Sequence, residues 1–448
     1  MKVLVLGAGV VGTTAAWFLA NDGHEVAVVD REPACANETS YANGGQISVS
    51  HAEPWANPAA PLKVLRWLFL SNAPLLFRPR LDPAQWTWCL RFLSECTPAR
   101  TRRNIVQIVN LGLYSRSVLQ ELRRETGIEY DQLTRGILHF YTSQKEFDDA
   151  QAPARVMRDN GCALEIVSAD EVVRIEPALA AARPRIVGGS MTPADESGDA
   201  RKFTQQLAAL AAAREVRFAY STTVLGLDRE GDRIAGVQVR HPDGSYGTLT
   251  ADAYVVALGS YSPALTRPLG IRLPIYPAKG YSATLPVARP ELAWTVSLTD
   301  DEYKLVFTRL GDRLRIAGTA ELSGYDIRLN PVRCRALVDR MLSLFPGVAD
   351  PARAEYWTGL RPTTPSNVPL IGGTRLRNLY LDTGHGTLGW THACGSGRAI
   401  ADIIGGRRPE VDFAFTSVAP PTASRRDASA GMRARLRSPG TRESAHHG

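Results

Sequence analysis

The stretch Lys2 to Arg31, KVLVLGAGVVGTTAAWFLANDGHEVAVVDR, decides the fold. It opens on an apolar run, Val3 to Leu6, of the kind a buried parallel strand carries. Gly7, Gly9 and Gly12 follow in GxGxxG spacing. Thr13 to Ala20 reads as a helix, and Asn21-Asp22-Gly23 breaks it. A second apolar strand, Glu25 to Val29, ends on Asp30. Strand, helix, strand and terminal acid in one register predict a complete βαβ unit.

Each part has a physical reason. Gly7 permits the tight turn out of the strand, Gly9 lets the backbone approach a pyrophosphate, and Gly12 lets helix and strand pack closely. The helix N-terminus, at Val10 and Val11, offers unpaired N–H groups and a positive dipole end to phosphates. Asp30 stands about 20 residues on, where a carboxylate accepts hydrogen bonds from a ribose. Val3 to Ala20 carries no charge, so an anchor or signal segment is the competing reading. The three spaced glycines and the direct run into a second strand argue against it.

Length and composition bound the rest. A chain of 448 residues predicts two or three domains with ample core. With 44% hydrophobic and 22% charged residues it reads as soluble and globular. The net charge of +7 is concentrated in the tail, where six arginines beyond Ser424 face only Asp427 and Glu443. The body is nearly neutral, which argues against a nucleic-acid partner. Six cysteines stand without CxxC or Cys/His clustering, so neither a metal site nor a disulfide framework is expected. A reducing cytoplasm is the expected setting.

Further along, Glu38 to Ser48 (ETSYANGGQIS) is small, polar and glycine-rich, suited to bring backbone N–H groups, Ser40 and Asn43 against a polar ligand, or to be a plain surface loop. Pro61 to Arg80 is apolar with basic flanks. It admits an interfacial surface touching lipid headgroups or helices packed into a substrate domain, and Asn72-Ala73-Pro74, which interrupts the pattern, favours the second. Asn104 to Thr126 predicts a helix ending at Gly127, Gly136 to Tyr141 a strand, Glu146 to Asn160 a helix closed by Gly161, and Ala169 to Arg174 a short helix. Gly188 to Asp199 reads as a turn-rich loop, Arg201 to Arg214 as a helix, and Val216 to Tyr220 as a strand. Val224 to Leu227, Ile234 to Arg240 and Gly247 to Ala251 alternate as an antiparallel meander. Ala253 to Ser260 is a buried strand able to join the sheet begun by Val3. Strands follow at Gly280 to Leu285, Lys304 to Arg309 and Leu314 to Thr319, then a helix, Val332 to Phe345. A strand, Leu379 to Asp382, leads into a glycine-rich loop feeding the last helix, within Thr383 to Gly406. Beyond Pro420 the composition predicts a disordered basic tail.

Taken together, GAGVVG, ETSYANGGQIS, PADESGDARKF, ALGSYS, YPAKGYS, WTGLRPTTPSNVPLIG and TGHGTLGW closely resemble the D-amino acid dehydrogenase small-subunit family, a branch of the D-amino acid oxidase-like FAD oxidoreductases. The motifs keep their order across residues 1–416. The resemblance implies an α/β protein: a Rossmann-like FAD-binding domain, discontinuous over 1–58, 188–270 and 346–416, with an inserted α+β substrate domain over 59–187 and 271–345, and a tail over 417–448. It implies oxidation of a D-amino acid to an imine, hydrolysed to a 2-oxo acid and ammonia, with electrons passed to a quinone-linked respiratory acceptor. Peripheral contact with the inner membrane is expected from that role together with the Trp67 to Arg80 surface. FAD itself is implied by the resemblance, since the first βαβ unit serves either dinucleotide. Arg31, Ser40, Asn43, Gly45, Gln46, Val224, Gly259 and Gly359 are implied to close over it with the Gly384, Gly386, Thr387, Leu388 and Gly389 loop. Family members often show Asp-Gly where Ser366-Asn367 stands here, a loop position where little effect is expected.

Such chemistry needs a neutral amine, a Cα–H facing the flavin, and a held carboxylate. Orientation alone contributes up to roughly 7–11 kcal/mol in good cases. Arginine is the natural clamp, since its planar fork bonds both carboxylate oxygens. Arg361, in Gly359-Leu360-Arg361-Pro362, matches the substrate arginine of the family. Tyr303 and Tyr281 are candidates for a second hydroxyl on the carboxylate or a pocket lid, or are packed strand residues. His385 reads as a group that orients its loop or contacts the ring rather than as a base. The following helix N-terminus is expected to stabilise negative charge that develops on reduction. No residue pattern demands a covalent flavin link. Two alternatives stand beside this reading: a related dehydrogenase or oxygen-using oxidase acting on amines such as proline, sarcosine or glycine, and a flavoprotein kept for electron transfer alone. Arg361 speaks against the latter.

Overall fold

The computed structural model describes residues 1–67 and 75–416. Its first sheet has six strands in the order Leu370–Gly373, Leu379–Thr383, Ala253–Val256, Lys2–Leu6, Glu25–Val29 and Arg217–Ala219. All pair parallel except the first two, which are antiparallel. The strand of Ala253 therefore does join the one begun by Val3, with Leu4 opposite Tyr254. Val3, Val5, Val26 and Val28 are buried on one face, and Leu4, Leu6, Val29 and Tyr254 on the other.

The helix after the first strand runs Val10–Asn21, three residues longer at its start than its sequence suggests. Small residues dominate its contact face for a steric reason. A Cβ on Gly397, in the helix Gly389–Ile404, would lie 2.8 Å from the Ala15 nitrogen and 2.9 Å from Thr14 Oγ1. The two helices are close enough for Thr14 Oγ1 to donate to the Ala393 carbonyl at 2.9 Å. On the far side, a Cβ on Gly395 would stand 2.7 Å from Ser115 Cβ, on the long helix Pro98–Thr126. That helix ends where expected, with Gly127 left-handed at φ 66°.

A nine-stranded mixed sheet makes the second layer. Glu355–Thr363 is its edge strand, followed by Tyr276–Pro286 and Arg313–Leu322, all paired antiparallel. The helix Pro331–Leu344 covers one face with Cys334, Leu337, Val338, Met341 and Leu344, spaced as one apolar stripe. Burying each such side chain contributes about 1.5–3 kcal/mol. The strands Gly188–Thr192 and Glu355–Thr363, within spans expected of the cofactor domain, pair into this sheet. A three-stranded meander, Thr223–Glu230, Arg233–Arg240 and Tyr246–Leu249, completes the β-structure with the short pair Gln46–Ile47 and Glu196–Ser197.

Two local expectations need correction. Gly188 to Thr192 is a strand, not a turn-rich loop. Its glycines make room: a Cβ on Gly188 would meet the Phe147 ring at 2.6 Å, and one on Gly189 the His139 carbonyl at 2.6 Å. Glu146 to Asn160 holds two helices, Gln144–Asp149 and Gln151–Asp159. Pro153 lacks an N–H and its ring collides with the carbonyl four residues back, at Asp149, where the first helix stops. The expected tail beyond residue 416 and residues 68–74 of the Trp67 to Arg80 surface lie outside the described residues. No described helix is long and apolar enough to cross a membrane.

Candidate active site

Between the two sheets lies a cavity of about 1510 Å³. Gly7, Gly9, Val10 and Val11 line it, with Asp30, Arg31, Ser40, Asn43, Gly45, Gln46, Val224 and Gly259. Gly384, Gly386, Thr387, Leu388, Gly389, Gly359, Arg361 and His385 line it as well. Gly12 stands outside it: a Cβ there would fall 1.9 Å from the Gly7 carbonyl oxygen, so its lack of a side chain serves helix–strand packing.

The loop after the first strand is tied down by side chains from its neighbours. Asp30 accepts the Ala8 N–H at 2.6 Å and the Glu32 N–H at 2.9 Å. Burial raises the Asp30 pKa, and these two N–H groups oppose the rise. Each carboxylate oxygen keeps a lone pair for a further donor. Ser40 Oγ accepts the Val10 N–H at 3.1 Å. Asn43 Oδ1 is engaged locally, accepting from the Gly45 N–H at 3.0 Å. Gln46 Nε2 reaches Ser297 Oγ at 3.1 Å and the Leu298 carbonyl at 3.2 Å, pinning this loop to the mixed sheet. Arg31 pairs with Glu38 and stacks over the Tyr261 ring at 4.1 Å.

Two helices present their N-termini to this one cavity, and neither N-cap, Gly9 or Leu388, supplies a side-chain cap. First-turn N–H groups have no partner within their own helix. A Cβ on Gly9 would meet only Ser40 Oγ, at 3.6 Å, so the space in front of it is open. An elongated anion with a second electron-rich end fits such a cavity, as a flavin dinucleotide has.

Arg361 sits on the strand Glu355–Thr363 with its guanidinium toward the cavity. It donates from Nη1 to the Thr319 carbonyl at 2.7 Å, and no carboxylate pairs with it among the described residues. Burial, with Arg333 nearby, pushes its pKa down to about 10, so it remains a cation at neutral pH. Its partner Thr319 is held at φ 53°, in the left-handed region. The cause is a β-bulge: Lys279 opposes Glu321, yet Tyr281 opposes Gly318. A β-branched residue there costs about 1–3 kcal/mol.

The two tyrosines do not complete the clamp. Tyr303 lies outside the cavity, 45% exposed, stacked on Arg340 at 3.9 Å. Tyr281 lines the cavity, but its side chain packs in the core under the helix Pro331–Leu344. Its hydroxyl is committed to Glu321 Oε2 at 2.8 Å. His385 is buried, with Nε2 3.5 Å from Asp382 Oδ1. Burial and the nearby His392 push its pKa down to about 3, while burial raises that of Asp382 well above the carboxylate range. The His385 imidazole is neutral at pH 7. The loop is joined to the clamp strand by the Gly386 N–H, which donates to the Pro362 carbonyl at 3.0 Å.

Other cavity residues carried no signal in the sequence. His139 Nδ1 lies 2.7 Å from Asp301 Oδ2, and the His51 ring stacks on His139 at 6.1 Å. Burial would raise Asp301, but Lys304 and His139 hold its carboxylate below the ordinary range. Burial, and His139 beside it, push His51 down to about 4. These residues come from three separate segments, and no spacing announces them. Asn367, where the family often has glycine, adopts φ 61° and accepts the Trp55 N–H at 3.0 Å, so it serves the same turn and adds a bond.

Comparison with known proteins agrees with this geometry. A family model described as FAD dependent oxidoreductase (DAO) matches residues 2–403. The chain is 62% identical over 415 residues to a D-amino acid dehydrogenase of Dechloromonas aromatica (strain RCB), covering 93% of this chain and 99% of that one. It is 56% identical to another of Paramagnetospirillum magneticum (strain ATCC 700264 / AMB-1), over 91% and 96% of the two chains. Among solved structures, glycine oxidase from Geobacillus kaustophilus superposes with a TM-score of 0.71 at 22% identity, over 94% of this chain and all of that one. L-proline dehydrogenase from P. horikoshii gives 0.68 at 18% identity, over 91% and 94% of the two chains.

Proposed function

The chain belongs to the DAO family of FAD-dependent oxidoreductases, and on that premise we propose that it oxidises D-amino acids such as D-alanine to 2-oxo acids and ammonia. The observation that carries this reading is Arg361, a half-buried cation that no carboxylate pairs among the described residues, facing a cavity that two helix N-termini also face. Such a cation asks for an anionic ligand. The relatives named D-amino acid dehydrogenase, similar over nearly the whole chain, supply the substrate class.

FAD, when bound, supplies the acceptor for the two electrons and the hydrogen leaving the α-carbon. The chain's own residues do the rest. Val10, Val11 and the open face of Gly9 would hold the pyrophosphate, and Asp30 the ribose. The Gly384–Gly389 loop and the helix behind it would face the flavin's electron-rich end. Arg361 holds the substrate carboxylate, which fixes the α-carbon and leaves the amine to the side of His51. His51 is neutral at pH 7 and so places no like charge against a substrate ammonium. The imine product takes up water and releases ammonia.

The electrons go on to a quinone-linked acceptor in this reading, with the protein resting on a membrane surface. Supporting that, Leu62, Leu81, Trp86, Leu90 and Leu93 are exposed, and Trp86 and Leu93 also line the cavity. Arg91, Arg102 and Arg103 are exposed on the helices Pro83–Glu95 and Pro98–Thr126. Apolar residues among exposed arginines suit an anionic interface.

The test is anaerobic. D-alanine, L-alanine, sarcosine and proline are added separately to the purified flavoprotein. Bleaching by D-alanine alone, restored by a quinone analogue, is expected. Bleaching by sarcosine or proline instead, or by none, would overturn the substrate assignment.

A further inference from the structure

We propose that Thr319 is the second half of the carboxylate clamp, its hydroxyl donating to a carboxylate lone pair that the Arg361 fork leaves free. The inference rests on the substrate reading above and names a residue that no sequence motif marks.

Thr319 does three unusual things at once. Its carbonyl accepts from Arg361 Nη1 at 2.7 Å, which places it beside the guanidinium. Its backbone is left-handed at φ 53°, a conformation that a β-branched residue rarely adopts. Its hydroxyl oxygen is buried and bonds nothing among the described residues, although the residue lines the cavity. Strain and an unmet hydroxyl each cost free energy, and a glycine would carry neither. Both costs fall on the one residue that already grips the clamp, and strain of this kind clusters at ligand sites.

The alternatives for this role are accounted for. Tyr281 gives its hydroxyl to Glu321, and Tyr303 stands outside the cavity. A carboxylate has two oxygens and about four lone-pair sites, more than one guanidinium edge fills. Threonine can bring Oγ1 forward by one staggered step about χ1, since Oγ1, Cγ2 and hydrogen occupy the three positions on Cβ. Bound substrate then supplies the missing acceptor. The arrangement selects ligands with a carboxylate, whatever their side chain.

The experiment compares wild type, T319V and T319S as holoenzymes. Valine keeps the shape, the backbone requirement and the carbonyl that holds Arg361, and removes only the hydroxyl. Propionate, a carboxylate without an amine, is titrated against the flavin spectrum, and D-alanine is followed by anaerobic stopped flow. In T319V the propionate dissociation constant and the D-alanine half-saturation are both expected to rise about tenfold. The limiting reduction rate should change far less, and T319S should restore both binding constants. Wild-type affinity for propionate in T319V would overturn the assignment. If wild type itself were not reduced by D-alanine, the substrate reading would fall, and the propionate comparison would still decide the role of Thr319.

Discussion

The guanidinium of Arg361 occupies the place where Gly280 would carry a side chain: a Cβ there would stand 2.4 Å from Arg361 Cζ, Nη1 and Nη2. Gly280 and Arg361 lie on adjacent strands, where Gly280 pairs with Gly359 and Ala278 with Arg361. The absence of a methyl group thus sets where the clamp rests. In G280A only the far end of a flexible side chain has to yield, so the fold should survive with little change in melting temperature. The clamp should not survive. The expected result is full flavin content with kcat/KM for D-alanine down at least about tenfold, mainly through KM, as a displaced charged hydrogen bond implies.

The first loop separates two kinds of glycine. Gly9 faces open cavity, and a methyl there would touch nothing nearer than Ser40 Oγ at 3.6 Å. G9A should therefore fold, with an unchanged far-ultraviolet spectrum, yet purify with little or no flavin. Gly12 has the Gly7 carbonyl 1.9 Å from where its Cβ would lie. G12A should lose folding stability as well, by roughly 1–3 kcal/mol or more through overpacking, measured by denaturant unfolding of the apoproteins.

His392 is fully buried, and burial pushes its pKa from 6.5 down to about 4. The unfolded chain takes up a proton near pH 6.5 and the folded one does not until about pH 4. Stability is therefore lost as pH falls through that window, by up to roughly 3 kcal/mol from this group. The carboxylic acid of Asp382 contributes with the opposite slope, so the informative quantity is a difference. Wild type minus H392Q stability should fall between pH 6.5 and 4 and stay level above pH 7. A difference independent of pH would refute the buried neutral imidazole.

Tyr303 stacks on Arg340 and lies outside the cavity. Y303F should leave kcat/KM within about twofold of wild type, since it removes a largely solvent-exposed hydroxyl. Steady-state kinetics with D-alanine and a quinone analogue check this.

Much of the fold was legible because it rests on local rules. The GxGxxG turn, the buried strand at Ala253 and the amphipathic helix of Cys334 and Met341 follow from periodicity and glycine spacing. The residues expected around a cofactor line the cavity from several separate segments, of which the glycine-rich loops were each legible by themselves. The surroundings of Arg361 were not. Thr319 reads as an ordinary strand residue, and only the bulge opposite Gly280 turns its backbone. The His139–Asp301 contact spans 162 positions, and no strand pattern tells that the Tyr281 hydroxyl goes to Glu321. Pro153 was readable, and its effect on the helix before it was missed.

The most direct measurement follows the flavin absorbance of wild type and R361Q after anaerobic mixing with D-alanine. Both should carry full flavin. Wild type should bleach, while R361Q should need at least about a hundredfold more D-alanine for the same half-reduction, the cost of losing one partner of a buried charge pair. An R361Q enzyme that bleaches at the wild-type concentration, or a wild type that does not bleach at all, would contradict a carboxylate held by Arg361 in this cavity.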